Sequence, residues 1–181
     1  MSILTDLHAA LLDAAQYRFQ GFLQTLAFGG QGNDTRLYAA GEDKVVRMWS
    51  IVRDAKGEAS FYYRGQLLWP IYRDRVGAIL AMRVFRLGGK ETVAIGGIGV
   101  KTSQVNLIDV ADPDRAQVLL HPDVRERRNQ AVFALDVHEA SGLLAVGYDA
   151  EPDLGQPNAR VLLWQLLPTP KLVHTLETAV S

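Results

Sequence analysis

The chain has 181 residues, 48% hydrophobic and 22% charged, with a net charge of −1. Those values describe one globular domain large enough to bury a core, lie far from the disordered range and give no overall pull toward nucleic acid or anionic membrane. It contains no cysteine, which removes disulfides, thiolate catalysis and cysteine-ligated zinc or iron–sulfur sites.

The first predicted element is a helix over 3–19. Thr5 or Asp6 can cap its amides, and Ile3, Leu4, Leu7, Leu11, Leu12 and Ala15 fall roughly on one face. Asp6, His8 and Asp13 interrupt its apolar residues and no basic residue precedes them, so it does not read as a secretory signal. No stretch approaches the ~18–20 apolar residues that span a bilayer. A cytoplasmic location is the expectation.

After Gly21 the pattern changes to short strands. Those of the first unit are predicted over 22–28, 37–41, 45–51 and 60–69, with turns at GGQGND (29–34) and EDK (42–44). The second unit repeats the order over 78–85, 92–97, 104–110 and 116–120, with turns at LGGKE (87–91) and ADPD (111–114). The third follows over 131–138, 142–147, 160–166 and 171–176. Its long middle connection, EPDLGQPNA (151–159), holds two prolines, a glycine and an asparagine and reads as loop. The expectation is all-β: four-stranded antiparallel meanders behind a short N-terminal helix, without the helical crossovers of a parallel sheet.

The three units carry matching markers. Gly41, Gly96 and Gly147 lie 55 and 51 residues apart, and Trp49, Ile108 and Trp164 lie 59 and 56 apart. Leu26, Met82 and Leu135 precede them at separations of 56 and 53. Repetition at a nearly constant period implies stacked supersecondary units. Four strands, a glycine closing the second and a tryptophan closing the third resemble the WD40 repeats of β-propellers. The resemblance covers roughly 22–177, with AAGEDKVVRMW its best match and VFALDVHEASGLLAVGYD with VLLWQL close behind.

The resemblance implies blade 1 over 21–70, blade 2 over 71–121 and blade 3 over 122–181, after the helix of 1–20. It casts Asp43 and Asp149 as turn-ordering acids and Trp49 and Trp164 as packing residues. The sequence departs from the pattern where a Gly-His pair is expected before each first strand. Ile98 also replaces the second unit's turn aspartate, and Ile108 its tryptophan. Units of 51–59 residues exceed the usual ~40–45. Three blades are fewer than the ~4–8 that close a propeller, so the chain is expected either to be a segment of a longer propeller or to complete its ring by self-association.

Residue types that carry chemistry are scattered. GGIGVKTS (96–103) resembles part of a phosphate-binding loop, but Val100 separates Gly99 from Lys101 and a strand is predicted to follow. His8, His121, His138 and His174 have no partner at metal-ligand spacing, and Ser60, Ser103 and Ser141 lie outside any nucleophile elbow. Neither a cofactor nor a metal is expected.

The connections IYRDR (71–75) and PDVRERRNQ (122–130) hold Arg73, Arg75, Arg125, Arg127 and Arg128. Their planar forks suit carboxylates, and the propeller resemblance puts them on one rim beside acidic turns. The resulting expectation is a non-enzymatic interaction or scaffold module that binds a protein or acidic peptide rather than nucleic acid or membrane. The alternative is the recognition part of a larger enzyme whose catalytic domain lies elsewhere. If Trp49 fills a core, Trp49→Ala will lose about 3–5 kcal/mol in urea denaturation, and Arg127→Ala will stay within about 0.5 kcal/mol of wild type.

Overall fold

The computed structural model describes residues 21–68, 77–99, 105–119, 131–149 and 159–177. The predicted N-terminal helix and the five rim arginines lie outside these residues. The described part is all-β, with twelve strands in three four-stranded antiparallel sheets.

Sheet 1 contains β1 (Leu23–Gln31), β2 (Asp34–Gly41), β3 (Val45–Arg53) and β4 (Ala59–Leu68) in chain order. Sheet 2 repeats this order with β5 (Gly77–Leu87), β6 (Lys90–Gly99), β7 (Val105–Asp109) and β8 (Asp112–Leu119). Sheet 3 contains β9 (Val132–His138), β10 (Leu143–Tyr148), β11 (Arg160–Gln165) and β12 (Lys171–Glu177). A single 3-10 turn, Glu139–Ser141, joins β9 to β10 and ends on Gly142 in the left-handed conformation. Each sheet is a meander, as the alternating sequence pattern predicts.

Two predicted turns are tighter than the sequence suggests. GGQGND shrinks to Gly32-Asn33, and LGGKE shrinks to Gly88-Gly89 with φ of 58° and 83°. Positive φ at Gly32 in the first turn, and at both residues of the second, matches the right-handed twist of a hairpin, so the flanking residues can remain paired. Likewise β8 begins at Asp112, inside the predicted ADPD turn.

The first strands hold the sheets together: β1 packs on β5, and β5 packs on β9. One buried cluster joins sheets 1 and 2 through Tyr38, Val46 and Leu67 on one side and Ile79, Met82, Ile95 and Ile108 on the other. A second joins sheets 2 and 3, with Phe85, Leu107 and Leu119 against Leu135, Leu144, Val146 and Trp164. Sheet 2 is therefore apolar on both faces, and alternation along its strands sends neighbouring residues into different cores.

Strand register tests the repeat markers. Leu37 pairs with Trp49, Val93 with Ile108 and Leu144 with Trp164, so Trp49, Ile108 and Trp164 are equivalent. Leu26 opposite Ala39, Met82 opposite Ile95 and Leu135 opposite Val146 are equivalent as well. The glycine marker requires correction. Gly41 faces Leu23 and Gly97 faces Ile79 across matching β-bulges, which makes Gly97 the counterpart of Gly41. Gly96 and Gly147 instead share the position of Ala40. The adjacent pair Gly96-Gly97 allowed either alignment in the sequence.

The two glycine positions solve different steric problems. A Cβ on Gly41 would lie 2.0 Å from the Phe22 carbonyl oxygen, and one on Gly97 would lie 2.0 Å from that of Ala78. At Gly96 it would lie 2.6 Å from Val132 Cγ1 of sheet 3. Gly97→Ala must displace backbone, while Gly96→Ala must separate two sheets. Both should destabilise by about 1–3 kcal/mol as overpacked sites, with Gly97→Ala the larger loss, as read from denaturation midpoints at constant slope.

Candidate functional site

A cleft of about 920 Å³ lies between sheets 1 and 2. Asp34 and Arg36 of β2, Met48 and Ser50 of β3 and Arg64 of β4 line one side. Lys90 and Glu91 of β6, Asp109 of β7 and the β7–β8 turn line the other. Alternation explains the arrangement. Arg36 lies two residues from Tyr38, so the tyrosine enters the inter-sheet core while the arginine remains at its margin.

Glu91 is the centre of the cleft. Its Oε1 accepts from the Tyr38 hydroxyl at 2.7 Å and the Gly30 amide at 3.0 Å. Its Oε2 accepts from Arg36 Nη1 at 3.1 Å. A carboxylate of sheet 2 thus bonds three groups of sheet 1. Arg36 completes the network through a two-point contact with Asp34, Nη2 to Oδ2 and Nε to Oδ1. That contact, opposed by burial, raises the guanidinium pKa above its ordinary value. Tyr38 is also raised, first by burial and then by donating to Glu91, so its phenol remains protonated throughout the neutral range.

Gly29 makes room for this carboxylate, because a Cβ there would lie 2.4 Å from Glu91 Oε1 and 2.6 Å from Val84 Cγ1. On the second wall, Lys90 Nζ donates to Asp109 Oδ2 at 2.8 Å and the Ala111 amide donates to Oδ1 at 2.9 Å. The Lys90 contact, followed by the amide bond, holds the Asp109 carboxyl below its ordinary pKa. A depressed carboxyl contributes stability above its unfolded pKa and loses that contribution as pH falls through the folded value. Arg64 Nε donates to Ser50 Oγ at 2.7 Å, which orients an exposed guanidinium along the cleft.

The residues singled out in the sequence fall into separate places. Asp43 sits in the β2–β3 turn as expected, and its Oδ1 accepts from the Val45 amide at 3.2 Å. Its other oxygen meets Arg47 Nη1 at 2.5 Å, both side chains being buried. Arg47 thus supplies the cationic partner for an aspartate whose sequence context lacks the expected histidine. Trp49 is buried and meets Tyr63 edge-on, with centroids 5.8 Å apart. Trp164 lies in the core between sheets 2 and 3. Asp149 is exposed just after β10, and its amide donates to the Ala131 carbonyl at 3.4 Å.

His138 is exposed and contacts Ser141 Oγ at 2.7 Å through Nδ1, while His174 is exposed on β12. Gly96–Gly99 of the phosphate-loop lookalike belong to strand β6. Among the described residues, no cluster of three or more His, Cys, Asp or Glu could hold a metal ion, and no helix is long and apolar enough to cross a membrane.

Sequence reasoning missed the Tyr38–Glu91–Arg36 network because its members are 53 and 55 residues apart. Arg47, four residues after Asp43 and just past a tight turn, was within local reach. No protein-family model matches the chain, and comparison with curated proteins finds no match.

Glu91→Ala leaves the Tyr38 hydroxyl, the Gly30 amide and Arg36 without their shared acceptor. It should destabilise by about 2–3 kcal/mol, and Glu91→Gln, which retains one acceptor oxygen, by less. Urea denaturation of the two variants at pH 7 measures the difference.

Proposed function

We propose that the chain is a non-enzymatic protein–protein interaction module built as a segment of a WD40-type propeller. The observation that carries this reading is the succession β1, β5, β9, in which three first strands pack in series while each meander runs outward in chain order. Meanders stacked through their first strands are the arrangement of propeller blades around a channel. The common register of Trp49, Ile108 and Trp164 supports it, because the three occupy one equivalent position in the third strand of each meander.

The partner we assign is an acidic peptide or protein segment, taken by the rim arginines. β4 ends at Leu68, which pairs with Val45 directly after the β2–β3 turn. β5 begins at Gly77, which pairs with Gly99 at the far end of β6. Arg73 and Arg75 occur in sequence between those two points, and Arg125, Arg127 and Arg128 occur between β8 and β9. Arginine forks donate two parallel bonds to a carboxylate, which gives orientation as well as attraction.

A fluorescent Asp/Glu-rich peptide titrated into the full chain tests this by anisotropy. The wild type should bind with an affinity that falls as salt rises. The triple variant Arg125→Glu, Arg127→Glu, Arg128→Glu should bind at least about tenfold more weakly, the equivalent of 1.4 kcal/mol. Absence of binding by the wild type, or equal binding by the variant, removes the acidic partner.

A further inference from the structure

Among the described residues that line the cleft between sheets 1 and 2, Arg64 is the cation that no carboxylate meets. Arg36 is held by Asp34 and Glu91, and Lys90 by Asp109. Arg64 uses only its Nε, which donates to Ser50 Oγ at 2.7 Å. Ser50 is 4% exposed, so the guanidinium is tied to a fixed point of β3 while its two Nη groups stay open to the cleft. A fork held by one edge is preorganised, because it loses less freedom when its other edge binds.

The backbone sets Arg64 there by a specific device. Trp49 pairs with Tyr63 and Met48 with Gly65, so Arg64 is the extra residue of a β-bulge in the outer strand β4. The next residue, Gly65, has φ of 137°, which side chains rarely adopt. Bulges at a sheet edge re-aim a side chain. Sheet 3 repeats the bulge: Trp164 pairs with Leu172 and Leu163 with His174, leaving Val173 as the extra residue. The meander therefore accepts an apolar residue at this point, and nothing in its own pairing requires the arginine of sheet 1.

The two walls of the cleft carry opposite charge. Asp34, Arg36 and Arg64 leave sheet 1 with one positive charge, while Lys90, Glu91, Asp109 and Asp112 leave sheet 2 with two negative ones. No ion pair joins Arg64 to Asp109 or Asp112, so the charges at this end of the cleft face each other unmet. Met48 on one wall and Val110 on the other add apolar surface at the margin of the inter-sheet core.

We infer that this cleft binds an extended peptide segment of a partner protein in which an Asp or Glu lies close to a Lys or Arg. The carboxylate takes the open edge of the Arg64 fork through two parallel bonds. The basic side chain lies with its stem on Met48 and Val110 and its head toward the carboxylates of sheet 2. A purely acidic segment would satisfy Arg64 but set its other carboxylates against Asp109 and Asp112. A volume of about 920 Å³ is ample for a few residues of such a segment. This site is separate from the rim arginines. Asp34 and Arg36 adjoin the β1–β2 turn, whereas β4 leaves for the Arg73 and Arg75 connection from Leu68, beside the β2–β3 turn at the other end of sheet 1.

Fluorescence anisotropy with two peptides of equal length, one alternating Glu and Lys and one of Glu alone, tests the inference. The full chain is used as wild type and with Arg125→Glu, Arg127→Glu and Arg128→Glu, which removes rim arginines from the reading. The alternating peptide should bind both proteins, and should bind the triple variant more tightly than the all-Glu peptide does. Adding Arg64→Gln, with folding checked by circular dichroism, should weaken the alternating peptide at least about tenfold. Arg64→Lys keeps the charge without the fork and should weaken it less; it also reads the loss if the glutamine variant fails to fold. Absence of binding by the alternating peptide, preference of the triple variant for the all-Glu peptide, or equal binding after both Arg64 substitutions overturns the inference. Displacement of the peptide by equimolar free glutamate overturns it too, by making the ligand an amino acid. A failure of this kind leaves the rim reading standing, since that reading depends on how the wild type and the triple variant differ toward an Asp/Glu-rich peptide.

Discussion

The seating of a branched side chain from one sheet on a glycine of the sheet before it governs this fold. Val84 on Gly29 seats β5 against β1, and Val132 on Gly96 seats β9 against β6, close enough for what lies outward of them to pack. Among the described residues, no backbone–backbone hydrogen bond joins one meander to the next, since each ladder is internal to its own sheet. Side-chain complementarity must therefore supply the cohesion between sheets. Dispersion contacts weaken steeply with separation, so one methyl group at Gly96 would loosen the packing of Phe85, Leu135 and Leu144 together.

The two interfaces share this apolar plan but differ at their margins. Between sheets 1 and 2, Glu91 accepts from Tyr38, the Gly30 amide and Arg36 in a partly buried setting where ionic hydrogen bonds are strong. Between sheets 2 and 3, the corresponding polar contact is Arg83 Nε to Asp136 Oδ1 at 3.3 Å, on well-exposed side chains. Exposed pairs of that kind contribute little. The first interface thus has polar specificity added to its packing, and the second depends mainly on shape. Glu91 also links layers within sheet 2, because its backbone carbonyl accepts from the Val110 amide at 3.0 Å.

What could be read from the sequence was what repeats locally. Trp49, Ile108 and Trp164 closed three similar runs, and their register held in the strand pairing. The order of strands was legible for the same reason, since period-two alternation is a property of each strand alone. The glycine marker slipped by one residue because Gly96 and Gly97 are chemically identical neighbours, and only the bulges opposite Gly41 and Gly97 distinguish them. The turns were drawn too long because a glycine at positive φ, Gly32 in one and Gly88-Gly89 in the other, reverses a chain more tightly than the flanks suggest. The cleft was illegible. Tyr38 and Glu91 belong to different units, and neither carries a local sign of the other.

One position shows how the ends of the stack differ from its middle. Arg47, Asn106 and Leu162 lie two residues before Trp49, Ile108 and Trp164, at one equivalent point of β3, β7 and β11. The series runs from an ion to an amide to an aliphatic side chain. Arg47 is tolerable there because Asp43, four residues earlier, is buried beside it and ordered by the Val45 amide. Desolvating two charges usually offsets most of their attraction. That loss is already incurred within sheet 1, whose Arg47 and Asp43 side chains are buried together. On the same side of sheet 1, Leu37, Ala39 and Trp49 are also buried, so the neutralised pair sits among apolar neighbours where a hydrated cation could not. The ion pair thus lets a charged residue occupy in β3 the position that Asn106 and Leu162 hold in β7 and β11, at the same low exposure.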